Sequence, residues 1–137
     1  MRKKPLQIWM ALLAMVPVIT GLLTLMGLDD PLYASAQLPN VPVLDSNLRF
    51  FGGIWLALGL AMWSIIARIE QHGPVFQLIW GAIFLGGIGR MLSMGLSGLP
   101  PLPFIGFTIL EIAGAPLFIW WQHQVAKAHG VKVGAAR

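Results

Sequence analysis

Apolar residues fall in four long runs, at about 8–28, 50–67, 75–96 and 103–121, and none of them alternates with polar positions. Each run has roughly the 17–25 residues that a helix rising 1.5 Å per residue needs to cross a hydrocarbon layer about 30 Å thick. A barrel strand would need about half that length and would read as alternation, so the pattern predicts helices. The first two runs contain no charged side chain, the third only Arg90 and the fourth only Glu111. The expected fold is all-α: a polytopic membrane protein, an antiparallel bundle of four transmembrane helices forming a single domain over 1–137, with tails at 1–7 and 122–137.

The segments between the runs predict an orientation. Arg2, Lys3 and Lys4 precede the first helix, Arg68 follows the second, and Lys127, Lys132 and Arg137 follow the fourth. The segment 29–49 carries Asp29, Asp30 and Asp45 against a single basic residue, Arg49, and 97–102 carries no charge. Basic residues concentrate on the cytoplasmic side of a membrane, so both termini are expected inside and these two connections outside. Trp9, Trp63, Trp80, Trp120 and Trp121 fall at the same inner ends, as an interfacial aromatic belt would place them, with Trp55 as the exception. Arg2-Lys3-Lys4, an apolar run and Ala34-Ser35-Ala36 together imitate a cleavable secretory signal. The run exceeds the usual 7–15 residues, and Asp29, Asp30 and Pro31 intervene, so a retained span is the better reading.

The long outer loop between helices 1 and 2, about 20 residues, interleaves Leu32, Tyr33, Leu38, Val41, Val43 and Leu44 with Pro31, Pro39 and Pro42. A short helix followed by extended chain on the bilayer surface is expected, with Asp45 as N-cap of the second helix.

Composition narrows the function classes. With 57% hydrophobic and 10% charged residues, the chain has too little polar surface to enclose its apolar residues in water. The net charge of +4 comes from basic residues in tails and beside apolar runs, not from one soluble face, which argues against a nucleic-acid partner. With no cysteine there is no disulfide, thiolate nucleophile or thiolate metal framework. His72, His123 and His129 lie outside the apolar runs and offer no buried pair to a haem, and no Ser/His/Asp arrangement appears. No metal, cofactor or enzymatic activity is expected.

Arg90 and Glu111 are the informative residues, because an ionisable group in hydrocarbon costs at least about 2.5–3.5 kcal/mol and is kept for a reason. Arg90 should lie ~9 Å below the outer end of helix 3, and Glu111 ~12 Å below the same surface on helix 4. A short connection makes the two helices antiparallel neighbours, so an interhelical ion pair follows. Ser93, Ser97 and Thr108 stand one or two turns from these charges. Asp45, Asn47 and Arg49 sit at the outer start of helix 2 with Asp45 and Arg49 at i, i+4. Asp45, Asn47, Arg49, Arg90, Ser93 and Glu111 are therefore the candidate polar cluster, either a lock holding the helices in register or a pocket in which an arginine grips an anionic group. Small residues at Ala82, Gly86, Gly89 and Ser93, and at Gly53, Ala57 and Ala61, predict close helix packing. Gly86-Gly87-Ile88-Gly89 lacks the strand and the Lys-Ser/Thr of a phosphate loop and reads as packing too. Pro116 should kink helix 4 and free the carbonyl of Ile112.

The stretches Leu44-Asp45-Ser46-Asn47-Leu48-Arg49-Phe50-Phe51-Gly52-Gly53 and Gly87-Ile88-Gly89-Arg90-Met91-Leu92-Ser93, with Glu111, Pro116 and Trp120-Trp121-Gln122, resemble a bacterial family of small four-helix membrane proteins, domain of unknown function 4345. The likeness runs from the first helix to about Gln122. It implies this architecture and a bacterial inner-membrane location, and it carries no activity.

The function expected from these readings is a non-enzymatic membrane protein whose partners are the lipid bilayer and either a bound lipid-like ligand or another membrane protein, engaged through the outer polar cluster. The alternative is a small transporter or proton-coupled carrier using Glu111. A membrane enzyme acting on lipids comes last, for want of a nucleophile or metal site.

Overall fold

A computed structural model describes residues 2–131, so Lys132 and Arg137 of the C-terminal tail lie outside the described residues. Every regular element among the described residues is helical. The order is α1 (Lys3–Thr24), short 3-10 helices at Gly27–Asp29 and Pro31–Ala36, α2 (Pro42–Ile65), a 3-10 turn at Ile66–Arg68, and α3 (Gly73–Ser97). Then come α4 (Leu102–Ile109), a π-helical segment at Leu110–Gly114, and α5 (Ala115–Ala128). Four stretches are long and apolar enough to cross a membrane: Lys3–Thr24, Pro42–Arg68, Gly73–Ser97 and Leu102–Ala128. The chain divides into two compact units, Gln7–Ile66 and Met1–Leu6 with Ala67–Arg137.

The unit Gln7–Ile66 is a pair of antiparallel helices. From the turn outward, Gly21 meets Gly52 and Leu56, Val18 and Ala14 meet Gly59, and the carbonyl of Ala11 accepts from Trp63 Nε1. Positions fall along α1 as they rise along α2. A Cβ on Gly21 would sit 2.6 Å from the Leu56 nitrogen, and one on Gly52 2.8 Å from the Leu25 nitrogen, so glycine is what lets these backbones touch. The register differs from the expected stripe. Gly52 and Gly59 face α1, whereas a Cβ on Gly53 would meet only Leu25 Cδ2 at 3.8 Å and Ala57 is exposed. Trp55, the residue that did not fit an interfacial belt, donates Nε1–H to Thr20 Oγ1 at 2.8 Å inside the span.

Helix α2 begins eight residues before the expected position. Pro42 occupies its first turn, where the missing N–H costs nothing, and Val41 is the N-cap. Asp45 is therefore not the N-cap but a first-turn acid, and Asn47 and Arg49 lie within the helix. The residue that does cap is Asp30, whose Oδ1 accepts from the Leu32 N–H at the head of Pro31–Ala36.

The second unit pairs α3 with the run α4–α5, again antiparallel: Arg90 with Glu111, Trp80 with Phe118 at 4.8 Å between ring centroids, and Gln77 Nε2 with His123 Nε2 at 2.7 Å. Phe76, Ile79, Trp80, Phe118 and Val125 are buried here. Trp80 thus belongs to a packed aromatic group with Phe76, Phe118 and Trp121, not to an interfacial belt, while Trp120 is exposed. Helix α5 continues past Trp121 to Ala128, carrying the buried Gln122 and the lysine of the expected tail. The expected packing stripe on α3 is not one among the described residues. Ala82, Gly86, Gly89 and Ser93 are exposed, and a Cβ on Gly86 or Gly89 would meet nothing within 4 Å. The contact glycine is Gly87, where a Cβ would come within 2.9 Å of Glu111 Cβ and 3.0 Å of Ile112 Cδ1.

Candidate functional site

The six candidate residues divide between the two units, and each set is built differently. In Gln7–Ile66, α2 carries Asp45 and Arg49 one turn apart, and both are fully engaged. Arg49 Nε and Nη2 donate to Asp45 Oδ2 and Oδ1 at 2.7 and 3.1 Å, and Nη1 donates to the Leu25 carbonyl at 2.9 Å. Asp45 Oδ1 also accepts the Leu28 N–H at 3.0 Å. The fork thereby satisfies an orphan carbonyl at the end of α1 and an orphan N–H of the following turn. Gly27, at φ +69°, permits this approach, since a Cβ there would run into Asp45 Oδ1 and Arg49 Nε. Next to it, Asp30 is buried and accepts from Thr24 Oγ1 at 2.8 Å. Asn47 is exposed, and its side chain makes no hydrogen bond among the described residues. With each nitrogen of Arg49 donating to α2 or to the end of α1, this set is a clasp for the α1–α2 turn.

Arg90 and Glu111 form the expected ion pair. Nε lies 3.2 Å from Oε1 and 3.0 Å from Oε2 of a glutamate whose side chain is 7% exposed, while the arginine side chain is 37% exposed. Glu111 stands in the π-helical segment. Pro116, just after it, has no N–H for the carbonyl of Ile112, and the widened turn accommodates that loss where a plain kink was expected. Gly87 lets α3 close onto this segment. Thr108 is buried but spends its hydroxyl on the Phe104 carbonyl at 2.9 Å, so it does not solvate the charges.

The pair uses only one edge of the guanidinium. Among the described residues Nη1 and Nη2 of Arg90 donate to no protein group. The guanidinium carbon lies 5.7 Å from the centre of the Phe104 ring, within cation–π range. Beyond it opens a cavity of about 300 Å³ walled by Arg90, Ser93, Ser97, Gly98, Leu99 and Phe104. Ser93 and Ser97 follow Arg90 at i+3 and i+7, so the helix itself aligns one cation and two hydroxyls along one wall. The arrangement suits an anionic group, because Glu111 fixes the guanidinium through Nε and leaves a two-donor fork unspent.

At the opposite end of the unit the structure holds polar contacts that the apolar pattern did not signal. Lys3 Nζ pairs with the buried Glu70 at 2.9 Å, and the fully buried Gln122 donates to the Ile69 carbonyl at 3.0 Å. Burial raises the Glu70 carboxyl, and the Lys3 ammonium, its own backbone N–H and the more distant His129 together hold it below the usual carboxylate range. Gln122 follows a tryptophan pair and looks like an interfacial residue in sequence. Its position on the α3-facing side of α5 is visible only from the register with Gly73.

A family model described as Domain of unknown function (DUF4345) matches residues 5–122. Comparisons with curated proteins and with solved structures gave no match.

Proposed function

We propose, from the premise that this chain belongs to the DUF4345 family, that it is a non-enzymatic integral membrane protein binding the anionic group of a lipid-like ligand in the cavity at the α3–α4 turn. The observation that carries the reading is the unspent Nη1/Nη2 edge of Arg90 on the wall of that cavity. Arg49 is the weaker choice, because each of its three nitrogens already donates within its own unit and Asp45 neutralises its charge. A volume of about 300 Å³ is at the small end of ligand sites and matches a headgroup better than a whole lipid. The distribution of basic residues supports cytoplasmic termini and an outward-facing α3–α4 turn, and the bacterial inner membrane is proposed from the family resemblance alone. The carrier reading gains no support from Glu111, which is buried against its cation with Gly87 packed on its Cβ.

The test is native mass spectrometry of protein extracted gently from membranes. Wild type should retain lipid at a defined stoichiometry, and Arg90→Lys should lose it by about tenfold. Lysine keeps the charge and the contact to Glu111 but loses the two-pronged donor. Equal lipid occupancy in wild type and Arg90→Lys overturns the reading.

A further inference from the structure

Glu111 is a buried carboxylate with a single hydrogen bond. Its Oε1 accepts from Arg90 Nε at 3.2 Å, whereas Oε2, buried and 3.0 Å from the same nitrogen, accepts no hydrogen bond among the described residues. A carboxylate has about four lone-pair sites to satisfy, so most of this one goes unsolvated. Other acids of the chain are better provided. Asp30, more buried still, accepts from Thr24 Oγ1 and the Leu32 N–H, and Asp45 accepts from two Arg49 nitrogens and the Leu28 N–H. The hydroxyl closest in sequence, Thr108, is spent on the Phe104 carbonyl. The elements packed on the π-helical segment, α3, α4 and α5, bring no second charge to it. Helix α3 carries only Arg90 and α4 carries none, while His123 and Lys127 of α5 stand about 18 and 24 Å farther along the helix. Among the described residues, the charge of Glu111 is therefore held by the Arg90 guanidinium alone.

An anion on the Nη1/Nη2 edge gives that one positive charge a second claimant, a guanidinium's width from the first. Two like charges so close in a water-poor site favour protonation of one of them. Resting on the binding role proposed above, we infer that the site takes up its anion together with a proton. As the anion docks on Arg90 Nη1 and Nη2, Glu111 Oε2 accepts a proton from solvent and becomes the hydroxyl of a neutral acid, while Oε1 goes on accepting from Nε. The empty site holds a guanidinium and a carboxylate, and the filled site a guanidinium and a bound monoanion, so its net charge is zero in both. Glu111 thereby does more than support the arginine. It competes with the ligand whenever it is ionised and yields when it is protonated, which makes the affinity of the site a function of pH. The inference concerns the strength of binding and involves no passage of charge across the membrane.

The experiment titrates delipidated full-length protein in detergent with dioleoyl phosphatidylglycerol, a monoanion whose own charge stays fixed between pH of about 5 and about 8. Calorimetry in two buffers of different ionisation heat counts the protons taken up. Wild type should bind about tenfold tighter at the acid end, with proton uptake approaching one per lipid near the middle of the range. Glu111→Gln keeps an acceptor for Nε and removes the competing charge, so at the alkaline end it should bind about tenfold tighter than wild type, with an affinity flat in pH and a heat independent of buffer. Diethyl phosphate, the same anion without acyl chains, should show the wild-type pH dependence at lower affinity; binding as tight as the lipid's overturns the lipid source. Wild-type binding without proton uptake overturns the inference, and that measurement stands even where Glu111→Gln fails to fold. A pH slope that survives in Glu111→Gln overturns it too, as does weaker binding by that variant, which would reduce the carboxylate to a prop for the guanidinium. Each of these results leaves the anion site standing so long as Arg90→Lys weakens binding, whereas binding that ignores Arg90→Lys removes both the inference and the role it rests on.

Discussion

A lone guanidinium or carboxylate is costly in hydrocarbon, and that single fact organises the residues of this chain. Arg90 and Glu111 meet across α3 and the π-helical segment, and breaking the pair from one side should cost more than removing it from both. Arg90→Met and Glu111→Leu are each expected to lower stability by about 2–3 kcal/mol, since each leaves a buried or half-buried charge unmatched. The double substitution should recover most of that loss, measured as thermal melting in detergent; additive losses would show that the pair is not coupled. Glu70 makes a separate prediction. Its folded-state carboxyl sits below the ordinary range, so the contribution of its pairing with Lys3 is present above the ordinary glutamate pKa and disappears as pH falls through the lowered one. The melting-temperature gap between wild type and Glu70→Gln should be open at neutral pH and close on acidification. A gap independent of pH would mean that the interaction is not with the charged carboxylate.

Between elements, close approach is decided by which glycines face a neighbour rather than by how many a helix carries. Gly21 and Gly52 bring α1 and α2 into backbone contact, so Gly21→Ala and Gly52→Ala should each destabilise by about 1–3 kcal/mol through overpacking. Gly86 and Gly89 face open space, so alanine there should be neutral or stabilising by up to about 1 kcal/mol, from helix propensity alone. Melting curves of the four variants distinguish the two classes. Should Gly86→Ala destabilise as much as Gly52→Ala, that face of α3 must be a packed surface and not an open one. The glycine pattern on α3 was plain in the sequence. Its facing was not, because small residues recur on several faces of that helix and only the position of the π segment selects Gly87.

For the whole molecule, the charge bias predicts that the α1–α2 turn and the termini lie on opposite sides of the membrane. The chain has no cysteine, so single replacements report cleanly. Ala34→Cys should react with a membrane-impermeant maleimide in intact cells, and His129→Cys only after permeabilisation; the reverse order would invert the topology. Helix number, approximate spans and the Arg90–Glu111 pairing were legible in the chain alone, because span length and the cost of an isolated charge in oil are one-dimensional constraints that any fold must satisfy. Two features belong to the tertiary structure: the engagement of all three Arg49 nitrogens where Arg90 uses only one, and the burial of Trp80 and Gln122. Each depends on which atoms of one helix reach those of another, and that is fixed by rotation about the helix axis and by local π and 3-10 turns, to which hydropathy along the chain is blind.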